Sequence, residues 1–474
     1  MTQSVCIVLL RNELRLTDHP ALLHAAKHSA VIPVFVLDDK VKLGGASLWW
    51  LHHSLNSLGN DFAKHGVKLI LRRGDTQKII EEIQNKTNAK AIYCTRSYTK
   101  HDVRLEKSLH EKYQNTEIEF RRFGGNLLIE PEKITNKQGT AFQVFTPFFK
   151  ALQQSNHIRT PFAKPDKIIP FAGGIQSDNL DDWGLLPTKP NWAEGFAEWE
   201  IGEVTAFQKL EKFLNSKINI YSEGRDFPAL AATSLLSPHL RFGEISPAQI
   251  WDIVNLKCHG APIGNYQKFL SELAWREFSY HLLIAYPDMA TKPIKQQFSA
   301  IEWDNDENLL IAWQSGQTGF PIIDAGMREL WQTGYMHNRV RMIVASFLVK
   351  DLLIDWQYGE QWFWDCLLDA DYANNPASWQ WVAGCGMDAA PYFRIFNPTT
   401  QSQKFDADGK YIKRWLPELV KLPNKYIHEP STAPKEILSN AGIIMGKTYP
   451  LPIVNHKTAR EKTLFAYGKI KGAE

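Results

Sequence analysis

Two short, wholly apolar runs near the N-terminus, Val5–Leu10 (VCIVLL) and Val31–Leu37 (VIPVFVL), constrain the fold more than any other feature. Runs rich in β-branched residues and without polar alternation belong to strands buried on both faces. Between them, LTDHPALLHAAKH has helical spacing, with Asp18 as its expected N-cap. Val67–Arg72 and Ala91–Thr95 continue the pattern, with helical stretches at Trp49–His65 and Thr76–Asn85. Such alternation makes a parallel sheet in a doubly wound α/β domain, expected to occupy 1–130.

A connector over 131–201 follows, and from Phe162 to Glu200 it is dominated by Pro, Gly, Asp and isolated Trp. From Gly202 helical periodicity takes over: Val204–Leu214, Ser246–Leu256, Gln267–Ala285, Asp324–Thr333, Asn338–Leu353 and Gln361–Leu368. The expected second domain, 202–474, is all-α.

Composition narrows the function classes. Hydrophobic residues at 44% and charged residues at 22% exclude a disordered chain. Lys+Arg 54 against Asp+Glu 51 leaves +3, so any nucleic-acid footprint must be a local patch. Five scattered Cys without a CxxC argue against a disulfide framework or zinc site and fit a reducing compartment. No signal peptide and no run of about 18 apolar residues is present, so a cytoplasmic chain without membrane contact is expected. Ala441–Thr448 (AGIIMGKT) mimics a phosphate loop, but Pro450 and Pro452 forbid the helix whose N-terminus would meet the phosphates.

Three helical segments concentrate polar and aromatic side chains. In FLSELAWREF, Glu272, Trp275 and Arg276 stand at i, i+3, i+4 and share one face. In YMHNRVRMIVASFLVKD, Asn338, Arg341 and Met342 repeat that spacing beside His337 and Arg339, ahead of an apolar and therefore buried stretch. In LLDADYANNPASWQW, Asn375–Pro376 reads as N-cap and N1 of a helix, Asp369 or Asp371 is a natural partner for Arg341, and Trp379 and Trp381 point different ways. Upstream, Tyr221, Arg225 and the Thr233-Ser234-x-x-Ser237 cluster offer hydroxyls and backbone N–H groups suited to a pyrophosphate.

Along nearly its whole length the sequence resembles the DNA photolyase/cryptochrome flavoproteins, and most closely a class I-type cyclobutane pyrimidine dimer photolyase. The carrying motifs are LSPHLRFGEIS, FLSELAWREF, TGFPIIDAGMREL, YMHNRVRMIVASFLVKDLLIDW and NNPASWQWVAGCGMDAAPYFRIFNPTTQSQKFD. The N-terminal part matches more loosely, with Leu9-Leu10-Arg11 where Trp-Phe-Arg is usual.

The resemblance implies an antenna domain followed by a helical FAD-binding catalytic domain. Tyr221, Thr233, Ser234, Leu235, Leu236 and Ser237 would hold phosphates and ribitol, with Leu235 acting through its backbone. Arg276, Arg341, Asp369 and Asp371 would complete the cofactor site, and Asn375 would face flavin N5. Trp303, Trp356 and Trp379 match the family's electron-transfer chain. Glu272, Trp275, Asn338, Met342 and Trp381 match the pocket for a flipped-out dimer; Arg225, Arg339 and Gln401 match contacts to the DNA backbone. The implied activity is light-driven electron transfer from reduced FAD that splits pyrimidine dimers in UV-damaged DNA, by a monomer with no metal and no protein partner. A (6-4) photolyase and a cryptochrome photoreceptor are the alternatives. The antenna, folate (methenyltetrahydrofolate) or deazaflavin, is left open, with Gly44–Ala46, Trp49 and Trp50 as a possible lining.

Overall fold

The computed structural model describes residues 4–257, 263–392 and 394–471, and Cys258 lies outside them. The chain forms two compact units: one runs to Trp192 and adds Ala197–Lys217 and Ser234–Pro287, and the other comprises Ala193–Phe196, Ile218–Thr233 and everything from Asp288. The expected boundary at residue 201 therefore falls within a segment of the first unit.

The first unit is built on β1 (Val5–Leu10), β2 (Ala30–Asp38), β3 (Ile70–Gly74), β4 (Ala91–Thr95), β5 (Glu119–Phe123) and the short β6 (Ile169–Pro170). Their order is β3-β2-β1-β4-β5, with β6 beside β2, and every pairing is parallel. Such a sheet must be covered on both faces, and Ile7, Leu9, Ile32, Val34 and Ile92 form its buried centre. Helices α1 (Pro20–His28), α2 (Gly45–Ala63), α3 (Thr76–Thr87) and α4 (Lys100–Tyr113) supply the crossovers.

Two local expectations shift. His19, not Asp18, caps α1, its Nδ1 accepting from Leu22 N at 3.2 Å. Asp18 sits at φ 48° and takes Phe162 N (2.9 Å), Ser246 Oγ (2.5 Å) and the Arg159 guanidinium. Trp50, considered above as a ligand lining, is core: fully buried, it donates to Glu244 (3.1 Å) and stacks on Phe242.

Helix α5 (Phe145–Gln154) packs through aromatic rings on the Ile263–Ala285 helix of the same unit: Phe148 meets Phe278 at 5.4 Å and His281 at 4.9 Å.

The second unit is helical. Around a core that includes Trp313, Phe363 and Trp379 it assembles the helices Pro321–Thr333, Asn338–Ser346, Trp356–Cys366, Asn374–Ala383 and His456–Lys471, among others. Trp313 has no exposed surface and satisfies its indole N–H on Val344 O at 3.0 Å. Removing about 200 Å² of such a ring from water is worth on the order of 5 kcal/mol. The helix expected over Asn338–Leu353 ends at Ser346; a π-helical turn, Phe347–Asp351, follows, with Leu352 N bonded to Phe347 O (3.0 Å). Around Ala441–Thr448 no helix follows the loop before His456, as the two prolines require.

Candidate functional site

In the second unit the polar groups centre on the Asn374–Ala383 helix. Asn375 is not its N-cap: Asp371 Oδ1 takes Ala373 N (2.9 Å) and Asn374 N (2.8 Å), so the helix starts two residues earlier and the Asn375 side chain is released for other work. Its Nδ2 donates to Glu360 O (3.0 Å) and Glu360 Oε1 (2.9 Å). Both amide hydrogens are thus committed, and Asn375 presents its oxygen as an acceptor. Burial pushes the Glu360 carboxyl up to about 7, against the pull of the Asn375 hydrogen bond. Glu360 was not anticipated; its position one turn after Trp356, on a face that is otherwise apolar, was the available signal.

Arg341 pairs two-pronged with Asp369, at 3.0 and 2.9 Å, and its Nε holds Met336 O at 2.7 Å. Glu329 accepts His337 N (3.2 Å) and Tyr411 OH (2.6 Å), fixing the turn that carries Asn338, Arg339 and Met342. His337 is buried, and desolvation together with the Arg341 charge lowers it to about 4, so it is neutral at pH 7. Tyr335, also missed in the sequence, hydrogen-bonds Thr233. Arg225 lies over the Tyr221 ring at 5.8 Å.

The three indoles of the expected electron-transfer chain all belong to this unit. Trp379 and Trp356 are buried; Trp303 is half-buried, between Glu302 and Asp304, which pair with Lys469 (2.6 Å) and Lys462 of the last helix. Trp381 is half-buried, as is Gln401 on the Pro398–Phe405 helix. Between Trp379 and Trp381, the buried Gln380 spends its side chain on Ile294 N (2.8 Å), Met289 O (2.5 Å) and Lys292 O (2.9 Å), which locks the rotation of the helix.

The remaining expected residues lie in the first unit. Ser234–Ser237 lead into the Ser237–Arg241 helix, and Leu235 adopts φ 56°, a left-handed conformation that a leucine holds only when its surroundings impose it. On the Ile263–Ala285 helix, Glu272 pairs with Lys268 (2.9 Å) rather than with Arg276. Arg276 donates to Asn126 O (3.0 Å) and Glu277 (2.8 Å). Trp275 stacks face to face on Phe145, centroids 3.8 Å apart and planes 7° apart, so one indole face is already covered.

The second unit holds groups that fit the expected cofactor: the Asn375 amide oxygen, the Arg341 guanidinium paired with Asp369, and the indole Nε1 of Trp379, buried with no hydrogen-bond partner. A doubly wound unit on one chain with this helical unit defines an α/β-plus-helical architecture.

Comparison with known proteins narrows the class. Residues 6–166 match the family described as DNA photolyase, and residues 269–469 match the FAD binding domain of DNA photolyase. A deoxyribodipyrimidine photo-lyase of Agrobacterium fabrum is 48% identical over 468 residues, 98% of each chain. Cryptochrome-1 of Arabidopsis thaliana is 34% identical over 471 residues, 96% of this chain and 69% of that one. The crystal structure of a bacterial class III photolyase from Agrobacterium tumefaciens superposes with a TM-score of 0.97 at 47% identity, covering 100% of this chain and 98% of that one. The chain therefore belongs to the DNA photolyase/cryptochrome family and carries its FAD-binding domain. By this kinship it is an enzyme of the photolyase kind. Among the described residues no helix is long and apolar enough to cross a membrane.

Proposed function

We propose that this chain splits cyclobutane pyrimidine dimers in DNA by light-driven electron transfer. The observation that carries the reading is Asn375, whose amide hydrogens are both held by Glu360 and whose oxygen is left to accept. Bound FAD supplies the photochemistry, delivering an electron when reduced and excited. Asn375 would accept from N5–H of the reduced ring, and Arg341, held by Asp369, would place a fixed positive charge beside it. Tyr221, Thr233, Ser234 and Ser237 would hold phosphates and ribitol.

Dimer contacts are proposed for Glu272, Trp275, Asn338, Met342 and Trp381. The Trp275 indole, stacked on Phe145 and met edgewise by Phe278, is held rigid for stacking. Arg225, Arg339 and Gln401 would meet the backbone of the DNA. Within the family, the 47% identity and TM-score of 0.97 to a class III photolyase favour that class over the class I type that the sequence motifs suggested. An antenna pigment, folate or deazaflavin, belongs to the same proposal and would show as a second absorption band of the purified protein.

The test is flash repair of an oligonucleotide carrying one thymine dimer, with the flavin chemically reduced beforehand. Light-dependent restoration of the two thymines is expected. A wild-type protein that binds FAD and repairs nothing would favour the photoreceptor reading.

A further inference from the structure

Arg339, the expected phosphate ligand, does not stand open to solvent. Its NH2 donates to Asp226 Oδ1 at 2.7 Å, and its guanidinium lies 4.3 Å from the centre of the Phe405 ring. Its NH1 reaches Met342 Sδ at 3.8 Å, and from the other side Asn338 Nδ2 reaches the same sulfur at 4.0 Å. The arginine side chain is 19% exposed and the aspartate 36%. The acidic group thus occupies the place on the guanidinium where a phosphate oxygen would sit. The sulfur ties that arrangement to the two side chains expected to touch the dimer.

Resting on the repair reading above, we propose that Asp226 is a specificity-determining residue, an internal phosphate mimic that withholds Arg339 from undamaged DNA. An unbent duplex passing over the protein meets a guanidinium already neutralised and laid flat on an aromatic ring, so it gains no contact there. A dimer seated against Asn338 and Met342 takes over the amide and presses on the sulfur. The sulfur is shared with Arg339, whose guanidinium then exchanges the Asp226 carboxylate for a backbone phosphate. One charge–charge contact is made only when damage is present, which raises discrimination without raising non-specific affinity.

The experiment measures dark equilibrium binding of the FAD-loaded protein to a duplex with and without one thymine dimer, across a salt series. For Asp226→Asn, affinity for undamaged duplex is expected to rise roughly three- to fivefold, the scale of one part-exposed ion pair. Its log–log salt slope should steepen by about 0.9, one extra phosphate neutralised. Affinity for the dimer duplex should change less, so the damaged-to-undamaged ratio falls. In an Arg339→Ala background the same substitution should do nothing. Undamaged binding that stays unchanged overturns the proposal, as does equal tightening on both duplexes. Weaker binding of both would also overturn it and make Asp226 an orienting group. A wild-type protein that prefers the dimer while Asp226→Asn is silent removes the gate and leaves the repair reading standing. A wild type without affinity for either duplex removes both.

Discussion

Gly359 packs its backbone directly against the six-membered ring of Trp379: a Cβ added at residue 359 would lie 2.1 Å from Cη2 of that indole. No flexible chain end is available to yield, because Trp379 is wedged between Trp313 (6.2 Å) and Phe363 (5.0 Å). Gly359→Ala should therefore displace the indole, slow photoreduction of bound FAD and lower stability by about 1–3 kcal/mol, the usual cost of overpacking. A melting curve and a photoreduction trace check both halves. Photoreduction at the wild-type rate would mean that the ring position does not govern it.

Trp303→Phe should block photoreduction of oxidised FAD while sparing repair by protein reduced chemically beforehand. The motive is its half-buried place against the second unit's core, where an indole can exchange electrons with an outside donor. Undiminished photoreduction in the variant would take Trp303 off the path.

Glu360 makes a prediction about pH. Its folded carboxyl is raised from 4.5 to about 7, with burial the main cause. Between those values the native state holds a proton that the unfolded chain has released, so stability falls as pH rises through this window and levels off above it. Glu360→Gln removes that slope. Its stability relative to wild type should grow from its value at pH 4.5 by as much as about 3 kcal/mol at pH 8. Glu277 and Glu329, also pushed up to about 7 by burial, remain in both proteins and cancel in the difference. Parallel stability curves would show that Glu360 ionises normally.

Glu272→Ala should keep FAD bound, because the residues proposed to hold the cofactor lie on other segments. Repair per absorbed photon should fall, and binding of dimer DNA should weaken by about 1–3 kcal/mol, as for a lost buried hydrogen bond. Since Glu272 holds Lys268 at 2.9 Å, Glu272→Gln is the control that keeps shape and removes charge. Equal repair by wild type and Glu272→Ala would exclude a contact between Glu272 and the dimer.

Local pattern made part of this architecture legible. Apolar runs placed β1, β2 and β4 within a residue or two, because a strand covered on both faces leaves no choice of residue type. The same logic hid β5, whose sequence EFRRF is an exposed edge with no fully buried position. The β3 strand lies three residues later than its hydrophobic signal at Val67, where the chain is still entering the sheet. The motif residues were visible, but their partners were not. Phe145 stacks on Trp275 at a sequence separation of 130, and Asp226 reaches Arg339 over 113. No periodicity encodes a meeting between such distant segments, and it is these partners that decide whether an indole has one open face or two and whether an arginine is available.

The clamp that Gln380 places on its helix has a consequence for how such chains can vary. Over Asn375–Trp381 a helix rises about 9 Å and turns about 100° per residue. Three different tasks (an acceptor oxygen, a core indole and a half-buried indole) are therefore spaced by a ruler whose zero is pinned at Gln380. Loss or gain of one residue between Asn375 and Trp379 would swing Asn375 a quarter-turn or more away from Glu360 while the pinned end stayed put. Side chains here can be exchanged one at a time, but the count of residues cannot change. Extra length is better tolerated in irregular loops between elements, where added backbone turns no clamped side chain.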